Sequence, residues 1–228
     1  MNTLTEKQNL RYELLKANRY DVQNSKACYD FIAGNETATP EPQQAKTAAN
    51  GLADGVYLIQ HDDTAVLFTG QILTDTEKSL YKGVGVKLGN KSLAVAMGDM
   101  TEDEITLTKK QGGTRFITKY HEAVADWNGK ENTDDIRGIL NDDILLAAGE
   151  YIPSLGELYF ILLHIRDINA ALEAIGGKPL CGWYWASTQY SATTAWYLGL
   201  PNGYAGGSAK AASQGRVRAV SAFLPLNS

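Results

Sequence analysis

Trp183-Tyr184-Trp185-Ala186-Ser187-Thr188-Gln189-Tyr190-Ser191, followed by Ala195-Trp196-Tyr197-Leu198-Gly199-Leu200 and Pro201-Asn202-Gly203, is where the sequence commits to a fold. Side chains alternate across a strand with a period of two. Residues 195–200 therefore place Trp196, Leu198 and Leu200 on one face and Ala195, Tyr197 and Gly199 on the other. Trp183 and Trp185 share one side of a strand expected over 182–188. Asn202-Gly203 after Pro201 is a strong hairpin-turn signal, because both residues tolerate positive φ. A last strand is expected over 216–224, with Val217, Ala219 and Phe223 on a common face.

The window 190–215 is built largely from Tyr, Ser, Ala, Thr, Gly and Asn, and Lys210 is its one charge. Tyrosine offers large contact area at low entropic cost, and the small polar residues adapt, so this is the composition of a binding surface. The alternative is an exposed Gly/Ala/Ser-rich loop without a role, as 205–213 would be if taken alone.

Upstream, Ser154 followed by Glu157 forms a capping box, and Leu158, Phe160, Ile161, Leu162 and Ile165 supply an apolar helix body that encloses His164. A further turn or helix over 168–175 closes at Gly176-Gly177. Helix is also expected over 133–140. Two hairpins precede it. Val56-Tyr57-Leu58-Ile59 and Ala65-Val66-Leu67-Phe68 flank His61-Asp62-Asp63, and Val84–Leu88 and Leu93–Met97 flank Gly89-Asn90. A weaker strand is expected over 104–108. Residues 4–33 carry short apolar stripes at Leu10, Leu14 and Leu15 and at Ala27, Cys28, Phe31 and Ile32, which read as helix. Pro40 and Pro42 mark 35–50 as a linker.

The 228 residues, 44% hydrophobic, suffice for a full core. A net charge of -5 and a pI near 5.3 argue against nucleic acid as a partner, since phosphate binding needs a clustered positive field. No apolar run reaches the roughly 18–20 residues of a membrane span. Met1 to Tyr20 lacks the apolar stretch of a signal peptide, so synthesis is expected to leave the chain cytoplasmic. Cys28 and Cys181 are too few for a disulfide framework or a zinc site and read as buried free thiols. Asp62-Asp63, Asp134-Asp135 and Asp142-Asp143 offer carboxylates of the kind calcium takes, but without EF-hand spacing they read as solvated turns. His61, His121 and His164 are too scattered for a metal site. No metal or other cofactor is expected.

The tail quoted above, together with Lys210 and Arg216-Val217-Arg218-Ala219-Val220-Ser221-Ala222-Phe223, resembles the C-terminal part of C-type-lectin-like domains of the formylglycine-generating-enzyme branch. It is similar in particular to the variable proteins of diversity-generating retroelements, the group that includes the phage major tropism determinant. Tyr151-Ile152-Pro153-Ser154-Leu155-Gly156-Glu157-Leu158-Tyr159 resembles the helix start of the same branch. The resemblance covers roughly residues 120–223. With the elements read above, the expected fold is α+β: an N-terminal helical segment and linker over 1–50, a strand-rich portion over 51–119 with short antiparallel strands and, implied by the resemblance, a C-type-lectin-like ligand-binding domain over 120–228.

In that family adenine-directed rewriting of codons yields Ala, Gly, Ser, Thr, Tyr, Asn and several other residues, but never Lys, Gln, Glu, Met or Trp. The resemblance thus implies a variable, ligand-binding surface at Ala192, Thr193, Thr194, Tyr197, Gly199, Tyr204, Gly206, Gly207, Ser208, Ala209, Ala211, Ala212 and Gly215. Trp185, Gln189, Trp196, Lys210 and Gln214 would be fixed scaffold. The function implied is that of a non-catalytic receptor-binding protein or adhesin, phage or prophage encoded, carried on a virion tail. Its partner would be a bacterial cell-surface protein or glycan, and its assembly a homo-oligomer, a trimer in the family's phage member. The alternatives are a formylglycine-generating-type enzyme, disfavoured because Cys181 has no partner thiol in the tail, and a structural tail subunit.

Overall fold

The computed structural model describes residues 52–223. The helix expected over 4–33, Cys28 and the linker over 35–50 lie outside them. Among the described residues the fold is α+β, with two open antiparallel sheets and helices between them. The larger sheet contains β1 (Gly55–Gln60), β2 (Ala65–Leu67), β3 (Tyr81–Leu88), β4 (Lys91–Asp99), β5 (Glu150–Tyr151) and β9 (Arg218–Ser221), ordered β2-β1-β3-β4-β9-β5. The smaller sheet contains β6 (Trp183–Gln189), β7 (Thr194–Gly199) and β8 (Tyr204–Ala209) in chain order.

Both expected hairpins are present. β1 pairs with β2 around the turn at Asp63, whose φ is 69°, and β3 pairs with β4 around Gly89, φ 60°. The strand expected over 104–108 is reduced to isolated bridges, Ile105 to Gly215 and Thr108 to Leu140. The division expected near 119/120 falls inside one sheet, since β4 pairs with β9 through Ala94–Ser221 and Val95–Val220.

The helices are α1 (Asp75–Lys78), α2 (Tyr120–Val124), α3 (Gly129–Ile136), α4 (Leu155–Leu163) and α5 (Ile165–Ala174). The helix expected over 133–140 begins earlier and ends as a 3-10 turn at Arg137–Ile139. His164 falls between α4 and α5 and not inside one helix. Gly176, at φ 79°, terminates α5 as expected.

The main core lies between the sheets. Val56, Leu58, Val84, Val86, Leu93 and Val95 face Leu158, Ile161, Ile168 and Leu172 of the helices, which in turn meet Tyr184, Trp196 and Leu198. A second cluster (Leu107, Ile136, Leu140, Ile144, Ile152, Val217) packs around Trp185 and Ala195 on the opposite side of the small sheet. β6, buried along nearly its whole length, needs internal partners for its polar groups, and they converge at the start of α4.

There Ser154 and Glu157 form the capping box that the sequence announces, fully buried. Ser154 Oγ donates to the Asp126 carbonyl (2.6 Å), and Tyr151 OH donates to Glu157 Oε1 (3.1 Å). Burial pushes the Glu157 carboxyl above its ordinary pKa. The Asp126 carboxylate accepts from Asn128, Asn132 and Thr188, and Thr188 Oγ1 accepts from Leu155 N–H (2.9 Å). One carboxylate thereby joins the loop before α3, the first turn of α4 and strand β6.

Such close approach requires a bare backbone at Gly156, where a Cβ would stand 2.3 Å from the Asp126 carbonyl oxygen and 2.6 Å from that of Val124. Gly156→Ala is expected to destabilise the fold by about 1–3 kcal/mol in urea denaturation, as overpacking against unyielding backbone does. Gly138→Ala, where a Cβ meets nothing within 4 Å, serves as the comparison and stays within about 0.5 kcal/mol of the parent.

Candidate functional site: the β7–β8 surface

Strands β6, β7 and β8 pair without a break at the centre: Trp185 opposite Tyr197 opposite Gly206, and Tyr184 opposite Leu198 opposite Ala205. Both deep indoles are anchored by hydrogen bonds as well as by packing. Trp185 Nε1 donates to the Ile105 carbonyl (3.0 Å) and Trp196 Nε1 to that of Ile117 (2.7 Å). Such a bond is what a buried indole N–H requires.

At the open end of the β7–β8 hairpin sits Lys210, fully buried. Its Nζ donates to the Gly112 carbonyl (2.6 Å), the Ser191 carbonyl (3.4 Å) and Gln189 Oε1. Burial lowers its pKa to about 8, against a smaller opposing pull from Asp135. Lys210 N–H also donates to the Thr193 carbonyl (3.1 Å), and Gly112 N–H to that of Ala192 (2.9 Å). A single buried amine thus gathers the 112 loop, the β6–β7 turn and the end of β8.

The expected scaffold residues Trp185, Gln189, Trp196 and Lys210 are all buried, whereas Gln214 is exposed. The thirteen surface candidates divide into three groups. Ala192, Thr193, Tyr204, Gly207, Ala209 and Ala212 are exposed, and Thr194, Tyr197, Gly206, Ser208 and Ala211 are half-buried. Gly199 and Gly215 are buried, which corrects their placement on an open surface. A Cβ at Gly199 would lie 2.9 Å from the Trp183 ring and 2.8 Å from Asn202 Oδ1, and one at Gly215 would lie 3.0 Å from Trp185 Nε1. Alternation places Gly199 opposite Trp196 correctly, but the indole of Trp183 covers that second face.

The structure brings Ala192, Thr193, Thr194 and Ala209 together at the hairpin end, where Thr194 pairs with Ala209. Tyr204 and Gly206 lie further along on the Tyr197 side. Tyr197 is wedged between Trp183 (ring centroids 4.7 Å apart, stacked) and Trp185 (5.6 Å). Tyr204 meets Trp183 edge-on and keeps 61% of its surface exposed.

Three aromatics outside the expected set border the other face. Tyr190 packs edge-on against Trp196 (5.5 Å), Tyr120 tilts against the same ring (6.2 Å), and Phe116 joins them through its bridge to Gln189. Tyr190, Tyr120 and Phe116 are 39%, 52% and 44% exposed. Tyr190 stands inside the quoted tail, but Phe116 and Tyr120 are remote in sequence and reach the site only through tertiary pairing.

Other reactive groups are committed elsewhere. Asp63 pairs with Lys82, Asp134 with Lys130 and Arg137, Asp135 accepts from Thr114 and Arg115, and Asp142 pairs with Lys109 (2.7 Å). Asp99 accepts from Tyr184 OH (2.9 Å), Arg218 Nε (2.7 Å) and Arg216 (3.2 Å), which locks β4, β6 and β9 together. Cys181 is exposed and not buried as expected. Among the described residues no three His, Cys, Asp or Glu side chains cluster as metal ligands, and no helix is long and apolar enough to cross a membrane.

No family model matches the chain, and no curated protein matches it. Among solved structures it is similar to a fimbrial protein from Bacteroides ovatus ATCC 8483, with a TM-score of 0.50 and 13% sequence identity. The match covers 74% of this chain and 48% of that one, so the likeness is one of fold over about half of the fimbrial protein.

The depressed Lys210 pKa has a signed consequence. The folded chain releases this proton near pH 8, while the unfolded chain holds it to about 10.4. Unfolding free energy therefore rises with pH across that interval. Burial pushes the Tyr57, Tyr151, Tyr159 and Tyr184 hydroxyls up, an opposing effect that sets in from about pH 9, where the unfolded tyrosines begin to ionise. Urea titrations between about pH 7.5 and 9 are expected to show a rise in the parent that is much smaller in Lys210→Met, where Lys91, whose pKa burial also lowers, is the remaining lysine with this sign.

Proposed function

We propose that this chain is a non-catalytic ligand-binding protein of the receptor-binding or adhesin kind, and that its ligand meets the outer surface of β7, β8 and their flanking turns. What supports this reading above all is the separation of side chains within one short window. Trp185, Gln189, Trp196 and Lys210 are buried, while Ala192, Thr193, Tyr204, Gly207, Ala209 and Ala212 look outward. Buried indoles cost roughly 3–5 kcal/mol to remove, whereas exposed Ala, Thr and Gly positions usually change stability by no more than about 0.5 kcal/mol. Such a surface tolerates variation without loss of its support.

Retroelement-directed variation of these exposed codons is part of the proposal, as are a lectin-like classification of the domain and carriage on a phage tail as a homo-oligomer. The partner is a bacterial cell-surface protein or glycan. The likeness to a fimbrial protein is in keeping with a role at a surface, and it equally suits an adhesin borne on a cell appendage.

Replacing Thr193, Ala209 and Ala212 together by Tyr is expected to leave thermal unfolding nearly unchanged and to alter binding to a panel of immobilised bacterial strains by tenfold or more. Unchanged binding across the panel would favour a purely structural subunit. Oxidation of a cysteine-containing peptide that disappears in Cys181→Ala would favour the enzyme. A near-identical DNA repeat beside a reverse transcriptase gene, with adenines at the codons of these exposed residues, is the expected genomic signature of the variation.

A further inference from the structure

We propose that β8 is a strand-docking edge: the ligand contributes an extended polypeptide segment that pairs with Ala205–Ala209 as a fourth strand of the small sheet. This inference rests on the binding reading above and specifies the class of partner.

The orientation of the β8 backbone follows from its end. Lys210 N–H donates to the Thr193 carbonyl (3.1 Å), so Lys210 faces β7. The Ala209 carbonyl instead accepts from Ala212 N–H (3.1 Å) and Ser213 N–H (2.7 Å), and its neighbour across the ladder, Thr194, turns its carbonyl to Tyr190 and Ser191. Successive residues of a strand aim their N–H and C=O at opposite edges. Ser208 and Gly206 therefore serve the β7 ladder, and Gly207 and Ala205 present both backbone groups to the open side.

The other sheet edges are handled differently. β2 has three residues and β5 two. The outer edge of β6 is occupied by Arg216, which exchanges bonds with Trp183 and Trp185. β8 runs six residues with no Pro, no charge and no register shift. Long edges without charge, proline or bulge are what natural sheets avoid unless something pairs with them.

The chemistry of the edge selects the occupant. Two outward residues spaced two apart repeat donor and acceptor at the interval of another polypeptide backbone, the requirement of strand addition. Gly207 and Ala209 put little side chain on one face beside the incoming segment; Thr194 Cγ2 and Tyr190 border it, 3.0 and 3.9 Å from where a Gly207 Cβ would stand, and Ala205 packs against the main core. On the other face Tyr204 is exposed. With no charge on β8 to pair, the segment is neutral at its paired positions.

The test uses the full chain and dodecapeptides selected on it from a displayed random library. In the free protein, amide exchange measured by NMR is expected to be slow at Gly206 and Ser208 and fast at Ala205 and Gly207. Bound peptide is expected to slow Ala205 and Gly207 by tenfold or more. Gly207→Pro, which removes an outward N–H, is expected to weaken peptide binding at least tenfold relative to Gly207→Ala, which carries the same Cβ. The exchange measurement needs no variant and stands if the proline variant fails to fold. The proposal is overturned if the library yields no binder, or if peptide binding leaves Ala205 and Gly207 exchange unchanged. Equal affinity of the two variants also overturns it, as does slowing with protein concentration alone, which would assign the edge to a second copy. Any of these results, with bacterial binding still altered by the 193/209/212 variant, would remove the strand-docking edge and leave the binding reading in place.

Discussion

The small sheet exists as a platform because the Asp126 carboxylate is buried and fully occupied. It takes hydrogen bonds from Asn128, Asn132 and Thr188, while the Asp126 carbonyl takes Ser154. These contacts set the first turn of α4 against β6 at a separation only Gly156 permits. A buried carboxylate left without such partners would be costly, so the arrangement forms as a set or not at all. The main core fills the space behind it, and the position of β7 and β8 is inherited from β6.

Two further ties extend this order outward. Asp99 with Arg216 and Arg218 fastens the strand that follows β8 to the large sheet, with Arg218 fully buried and also bonded to the Ala96 and Lys178 carbonyls (2.9 Å each). Lys210 does the equivalent for the hairpin end with uncharged acceptors, which is why burial shifts its proton affinity so far. Between these ties lies a stretch of backbone whose outward side chains support nothing else. The exceptions are the half-buried Tyr197, which fills the gap between two indoles, and Tyr204, whose ring meets Trp183 edge-on.

Features written in local chemistry were legible in the sequence. The turns at Asp63 and Gly89, the Ser154–Glu157 box and the Gly176 stop each depend on a few neighbouring residues whose conformational preferences are strong. β8 was not legible, because Ala and Gly have little strand preference of their own. It is a strand because the edge of β7 pairs with it. Alternation told which face Gly199 occupies but not that Trp183 lies across it, and nothing near Gly215 in sequence points to Trp185. The aromatic border at Phe116 and Tyr120 depends on contacts from 70 or more residues away, as the bond from Trp196 to Ile117 illustrates. The pairing of β4 with β9, which unites two stretches that differ in texture, was beyond local reading for the same reason.

The fastening of β8 at both ends bears on mechanical load. At one end a peeling strand meets Lys210, whose ammonium must leave three acceptors at once. At the other end stands a short turn to β7, held by Asn202 Oδ1 on Tyr204 N–H (3.0 Å), by Gly203 N–H on the Gly199 carbonyl (2.8 Å) and by Tyr159 OH of α4 on the Gly203 carbonyl (2.9 Å). Tension applied to this strand by whatever it holds would therefore pass into the buried lysine at one end and into α4 at the other, rather than into the ladder alone.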